Sequence, residues 1–172
     1  AFMMRIYTDD EYTAASVGWG SFEMLETTEL LKTKATLEGY KYWLAKCDGA
    51  SLPSLSDIDL MEIYHLAPKL CIKDAVDDGM EFRNRYWGTQ LIEWYKLETT
   101  GMLLKDYYPP EILHLGYKFY RNMHAVGAPV YSIGDVGIGN MKHVIVEGVY
   151  LPLLDETGKI GHIFAVEEII DQ

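Results

Sequence analysis

The sequence predicts an α+β fold: a five-stranded antiparallel sheet with helices on one face and an N-terminal helical extension. Three observations lead there. Two strand-like runs near the front, 71–75 and 81–87, are joined by the turn Asp77-Asp78-Gly79. Three more at the back, 130–136, 143–154 and 160–170, follow one another through glycine-rich or turn segments, so each group is hairpin-linked and antiparallel. Between the groups lie patterns of helical period, which places helices over a sheet rather than between parallel strands. At 172 residues, 49% of them apolar and 24% charged, the chain has the composition of one globular domain.

Residues 1–26 show no clear periodicity and read as an arm, with an acidic cluster at Asp9-Asp10-Glu11 and Trp19 between Gly18 and Gly20. Residues 27–49 read as an amphipathic helix. Thr27 or Thr28 is the expected cap, Leu30, Leu31, Leu37 and Leu44 recur at helical spacing, and Gly49 ends it. The sheet-bearing domain is expected over 50–172. It opens with a loop at Ser51-Leu52-Pro53-Ser54 and a short helix capped by Ser56 or Asp57, stopped at Ala67-Pro68. After the front hairpin, Gly88 breaks the strand and Thr89 caps two helical turns carrying Leu91, Ile92, Trp94 and Tyr95. Residues 97–108 carry no single pattern. Pro109-Pro110 begins the clearest helix, with Leu115, Phe119, Tyr120 and Met123 on a broad apolar face and Gly127 at its end. The last turn is Asp155-Glu156-Thr157-Gly158. An even turn centred on Glu156-Thr157 would set His162 opposite Leu151.

Charge narrows the function classes. The net charge is −11, which argues against nucleic acid, whose binding rests on clustered Lys and Arg, and against anionic membrane surfaces. A local pair of arginines can still hold a small acidic ligand. The two cysteines, Cys47 and Cys71, make no zinc or CxxC spacing, so a reduced, cytoplasmic setting is expected. There is no apolar run of about 18 residues, hence no expected membrane span, and the N-terminus has no signal-peptide pattern.

The residues Tyr42-Trp43, Gly49, Leu52-Pro53-Ser54, Asp57-Ile58-Asp59, then Phe82-Arg83-Asn84-Arg85-Tyr86-Trp87-Gly88-Thr89 and Thr100-Gly101 resemble a PAS-like family found mainly in alphaproteobacteria, formerly a domain of unknown function. The resemblance covers about residues 38–170. Its pattern has Arg where this chain has Leu55, Pro at Leu60, and an aromatic at Asn84. It implies a free-standing PAS-like sensory or regulatory domain, with either a small molecule between sheet and helices or a purely dimerising role.

The chemistry-bearing residues fit that implication better than catalysis. Gly134, Gly137 and Gly139 lie between strands, where no helix N-terminus follows to cradle a phosphate. His114 and His124 fall about 80° and 15 Å apart on one helix, too far to share a metal. His143 and Glu147 are about 13 Å apart along one strand, too far for direct proton transfer. No nucleophile pattern occurs, so no catalytic residue and no metal site is assigned, and an enzyme is not expected. The cofactor is left unknown. Haem through His114 or His124 is disfavoured, and so is flavin photochemistry, because neither cysteine lies in the corresponding helix. The favoured site is a cavity of Trp94, Tyr107, Leu115, Phe119, Tyr120, Met123, Tyr131, Tyr150 and Phe164, with Arg83, Arg85 and His124 as polar candidates. Tyrosine hydroxyls need partners when buried, so such a cluster is either a polar-edged pocket or a filled core. Asp74 is the expected partner of the arginines. The N-terminal helix either covers the sheet of its own chain or pairs two chains, and a homodimer through it is favoured. The function expected is a cytoplasmic regulatory module, with a signalling protein as a further partner. Two alternatives stand: a pure interaction module, and a small α+β enzyme or carrier using His124 with a carboxylate.

Overall fold

The computed structural model describes residues 5–7, 21–24, 28–49, 51–135, 138–141 and 144–171. Its strands are β1 (Arg5–Tyr7), β2 (Ser21–Met24), β3 (Leu70–Val76), β4 (Glu81–Trp87), β5 (Val130–Asp135), β6 (Ile145–Leu154) and β7 (Ile160–Asp171). Its α-helices are α1 (Lys34–Lys46), α2 (Thr89–Tyr95), α3 (Leu104–Tyr107) and α4 (Leu113–Val126). All strand pairs are antiparallel, in the order β1-β2-β5-β6-β7-β3-β4. The run β5-β6-β7-β3-β4 is the five-stranded sheet expected from the sequence, in the strand order of a PAS domain. Two short strands from the region read as an arm extend it: Ser21–Met24 pairs with Val130–Ile133 along β5, and β1 pairs with β2.

Both faces of the sheet are covered. Alternation along the strands sends Cys71, Trp87, Val130, Tyr150 and Ala165 to the front, where they meet α2, α3 and α4 in one core. Leu70, Tyr131, Val149, Leu151, Phe164 and Val166 point to the back, into a second core with α1. Helix α4 forms where the sequence places its apolar stripe, but its first turn is Leu113, because the two prolines occupy the preceding turn. Gly127 ends it with φ +61.

Helix α1 starts later than expected. Thr28–Leu30 is a 3₁₀ turn, and the cap is Thr33, whose side chain accepts from the Thr36 amide. Ala35, Thr36, Gly39, Tyr40 and Trp43 are its buried positions. Gly39 lets the backbone lie on β7: a Cβ there would stand 2.3 Å from Val166 Cγ2. Trp43 donates from Nε1 to the Pro152 carbonyl at 2.9 Å. Of the four leucines on which the dimer expectation rests, Leu31 is buried against the sheet of its own chain and Leu30 and Leu37 pack partly against that core, while Leu44 is half exposed on the outer side.

Several residues that carry the family resemblance have structural roles. Ser54 and Asp57 cap a 3₁₀ turn reciprocally. Tyr42 donates to Glu62 at 2.8 Å and accepts from the Asp59 amide at 2.9 Å, tying α1 to the 59–66 segment. That segment is a chain of turns, not the helix expected. A Cβ at Gly88 would lie 2.2 Å from the Pro68 carbonyl oxygen, so only glycine fits between β4 and α2. In the last hairpin Leu154 opposes Ile160, which centres the turn on Thr157, and the register shifts by one more residue at Leu153/Leu154, so His162 opposes Leu153 instead of Leu151. His143 lies outside the described residues, as do Asp9-Asp10-Glu11, Trp19 and Gly137.

Candidate functional site

The front core encloses a polar centre. Lys73 on β3 is 1% exposed, in a strand otherwise apolar at its front positions. The ladder with β4 shifts between Ile72 and Lys73, and this places Asn84 opposite it. The Lys73 ammonium donates to Asn84 Oδ1 and, at 3.0 Å, to the Tyr107 hydroxyl. It also lies over the rings of Tyr120, Trp87 and Tyr107, at 4.8, 5.6 and 5.7 Å from their centroids. Cation–π contact and two hydrogen bonds replace much of the hydration the ammonium loses. Asn84 is held in turn by donating from Nδ2 to Thr99 at 2.6 Å and to Tyr107 at 3.3 Å.

The opposite charge comes from β7. Glu167, also buried, accepts from the Tyr95 hydroxyl at 2.7 Å and the Tyr150 hydroxyl at 3.2 Å. Burial pushes its carboxyl above the ordinary range; the Tyr95 bond, the nearby Lys73 charge and the Tyr150 bond only partly offset this. Burial likewise raises Tyr95, Tyr107, Tyr120 and Tyr150 well above the usual phenol range, so all are neutral donors at any working pH. Cys71, two residues before Lys73 on the same face, is raised to about 11 by burial and is an inert thiol.

Lys73 and Glu167 line one small cavity together with the tyrosines, Ser132 and Phe119. Its volume is about 20 Å³, little more than one water needs. At that size neither a haem nor a flavin ring fits between helices and sheet as they stand.

The sequence-derived site residues divide between the faces. Tyr107, Phe119, Tyr120 and Tyr150 line the cavity, and Leu115 and Met123 belong to the core around it. Trp94 packs at the margin under the Lys69 ammonium, 5.9 Å from its ring, and does not close the mouth. Tyr131 and Phe164 are corrections: both point to the back, Tyr131 toward Glu147 at 3.4 Å and Phe164 against Tyr42. The polar candidates also lie elsewhere. Arg83 is exposed and donates to the Gly101 carbonyl at 3.2 Å. Arg85 is paired with Asp74 at 2.7 Å, the partner foreseen, and Asp74 also holds His162 Nδ1 at 2.7 Å. His124 sits on the Ile160 carbonyl at 2.9 Å, beside Phe82. Sequence reasoning missed Lys73, Asn84, Tyr95 and Glu167. The signal was there: Lys73 and Glu167 are charges inside apolar strand runs, each two residues from a small front-facing residue, Cys71 and Ala165.

A second buried carboxylate lies on the back. Glu147 on β6 accepts from the amides of Lys32 and Thr33 at 2.7 and 2.9 Å and from the Thr33 hydroxyl at 2.8 Å. The Thr36 hydroxyl and, at 3.4 Å, the Tyr131 hydroxyl complete the set. Burial alone would raise this carboxyl, but the bonds from Thr36, Lys32 and Thr33 hold it below the ordinary value. Glu147 thus fastens the start of α1 to the sheet, more than a hundred residues away in sequence. Among the described residues no cluster of His, Cys, Asp and Glu is arranged to hold a metal, and no helix is long and apolar enough to cross a membrane.

No protein-family model and no curated protein matches the chain. Solved structures similar to it include LOV photoreceptor domains. The light-state structure of the blue-light photoreceptor Aureochrome1 LOV aligns with a TM-score of 0.47 at 14% identity, over 66% of this chain and 89% of its own. An RNA-binding Light-Oxygen-Voltage receptor aligns at 0.48 and 13%, over 90% of this chain but 39% of the receptor. A fungal LOV domain photoreceptor aligns at 0.45 and 14%, over 68% and 95%. The PAS-like fold assignment rests on the strand order of the five-stranded sheet and the helices over its front face.

Proposed function

We propose that this chain is a cytoplasmic sensory or regulatory PAS-like module that binds a small polar ligand in the front cavity and signals through α1. The observation that carries the reading is the buried pair of Lys73 and Glu167, held apart by their own partners and lining one cavity. A charged pair at the centre of a domain stabilises less than apolar packing would, so its presence points to recognition. The route outward is short. Strand β6 carries Tyr150 into the cavity and, three residues earlier, Glu147 to the start of α1. A ligand that moves β6 changes the grip on α1, and with it whatever contacts the outer side of that helix, a second copy or a signalling protein. Membership of the alphaproteobacterial family belongs to this reading, supported by the residues that cap, tie and space the β4 and α1 regions.

The test is native mass spectrometry of protein purified from its own host, followed by denaturing release. A stoichiometric small mass, absent from a variant with the cavity filled by Ser132→Phe, is the expected result. A clean apo chain with unchanged α1 exchange across a metabolite panel would leave only an interaction role. Sedimentation of the wild type against Leu44→Glu reads whether α1 pairs chains.

A further inference from the structure

The polar centre at the front leaves two kinds of group incompletely bonded, and both line the same cavity. Lys73 spends its three N–H groups on Asn84, Tyr107 and the Cys71 sulfur. The Tyr107 oxygen accepts from Lys73 and from Asn84, so its own O–H needs an acceptor elsewhere. Glu167 has the opposite need. A carboxylate offers about four lone-pair positions. Among the described residues the Tyr95 and Tyr150 hydroxyls fill two of them, at 2.7 and 3.2 Å. Ser132 donates to Tyr150 and keeps acceptor positions of its own. Tyr107, Glu167 and Ser132 all line the cavity of about 20 Å³. We propose that this cavity is the binding site of one internal water molecule, which accepts from Tyr107 and donates to Glu167 and Ser132.

Size and bond count agree. A water needs about 10–15 Å³ of such space and makes about three hydrogen bonds to polar groups. Other occupants of that size lack one of the two functions. Ammonium brings donors alone, leaves Tyr107 without an acceptor and meets the Lys73 charge. Chloride brings acceptance alone and leaves Glu167 as it was. Left unanswered in a buried site, the phenol O–H and the carboxylate positions are costly, and one water answers both. It also joins two halves between which no hydrogen bond runs among the described residues. Lys73, Asn84 and Tyr107 stand on β3, β4 and α3, and Glu167, Tyr95 and Tyr150 on β7, α2 and β6. The two opposite charges are thereby linked through Tyr107 and the water. The assignment stands apart from the ligand reading above and sets a condition on it. A ligand that enters displaces the water and must bring both an acceptor for Tyr107 and a donor for Glu167, as a hydroxyl group does and a carboxylate or an ammonium group does not.

The experiment is oxygen-17 magnetic relaxation dispersion of the full chain, wild type against Ser132→Val, which takes away one partner of the water and fills its space with methyl groups. The wild type holds one more long-lived internal water per chain than the variant, and ammonium chloride leaves that count as potassium chloride does. A high-resolution crystal structure of the wild type shows an oxygen within about 3 Å of both the Tyr107 and the Glu167 oxygens. Equal counts of long-lived water in the two proteins overturn the proposal, as does a crystal in which that space holds no density or an atom bonded to neither residue. A wild-type dispersion that ammonium chloride abolishes and potassium chloride leaves unchanged assigns the site to ammonium and overturns it too. If Ser132→Val does not fold, the wild-type crystal decides by itself.

Discussion

Replacing Glu147 with glutamine removes the charge that ties α1 to β6 while keeping the side-chain volume. The wild-type carboxylate is fully buried and accepts from two amides and three hydroxyls, those of Thr33, Thr36 and, more distantly, Tyr131. In Glu147→Gln one oxygen becomes an NH₂ facing the Lys32 amide or the Thr33 and Thr36 donors, so at least one donor is stranded and the remaining bonds lose their charge. A hydrogen bond to a charged group contributes about 1.5–3 kcal/mol, and a stranded buried polar group costs about 1–3 kcal/mol. The expected loss is about 3 kcal/mol. Urea denaturation followed by Trp43 fluorescence reads the total, and hydrogen exchange reads its location, with protection falling first along α1. The pH dependence follows from the sign of the shift. The folded carboxyl titrates below its unfolded value, so its contribution is fully present above the unfolded pKa of roughly 4.3. It is lost as pH falls through the folded pKa. Wild type therefore loses α1 protection in acid, and Glu147→Gln shows that loss already at neutral pH. A variant within 0.5 kcal/mol of wild type, with α1 still protected, would refute the fastening role.

Three further outcomes follow from single contacts. Gly39→Ala drives a methyl into Val166, so overpacking of about 1–3 kcal/mol outweighs the helix-propensity gain of about 1 kcal/mol; a net gain in chemical stability would contradict the close approach of α1 to β7. Lys96 holds a left-handed conformation at φ 56 at the end of α2, so Lys96→Gly raises stability by about 0.5–1 kcal/mol, seen as a Tm higher by roughly 1–4 °C; a lower Tm speaks against that backbone. Trp43→Phe leaves the Pro152 carbonyl without its donor and costs about 2 kcal/mol in urea denaturation, and a cost under 0.5 kcal/mol would show that this bond does not anchor the helix.

Much of the architecture was legible in the sequence because it is written in local signals. The β3–β4 hairpin is bracketed by Asp77-Asp78-Gly79, and β4 falls on residues 81–87 as expected, since the turn chemistry sets both strand ends. The apolar stripe of α4 named the four residues that face the sheet. What was not legible is parity. In β6 and β7 both faces are buried, so apolar residues follow one another directly and alternation carries no sign of which face is which. Tyr131 and Phe164 were thus grouped with Tyr150, although pairing with Val149 and Leu151 turns them to the back. The slip at Leu153/Leu154 is a matter of turn geometry that composition does not encode. The start of α1 was misplaced for a different reason. Its cap is reinforced by Glu147, more than a hundred residues distant, and no local window contains that information.

The strand order has a consequence for how the chain acquires its shape. β6 and β7 are synthesised last of the seven strands yet occupy the middle of the sheet, between β5 and β3. Until they emerge from the ribosome, the β3–β4 hairpin and β5 have no shared neighbour, and both cores lack their central wall. Nascent chains that have not yet released β6 and β7 must therefore carry open strand edges and uncovered tyrosines, which is the kind of surface chaperones bind. Commitment to the native state of this sheet is expected as one event, when the β6–β7 hairpin slides between pieces already made, with the slow rate that distant pairings impose.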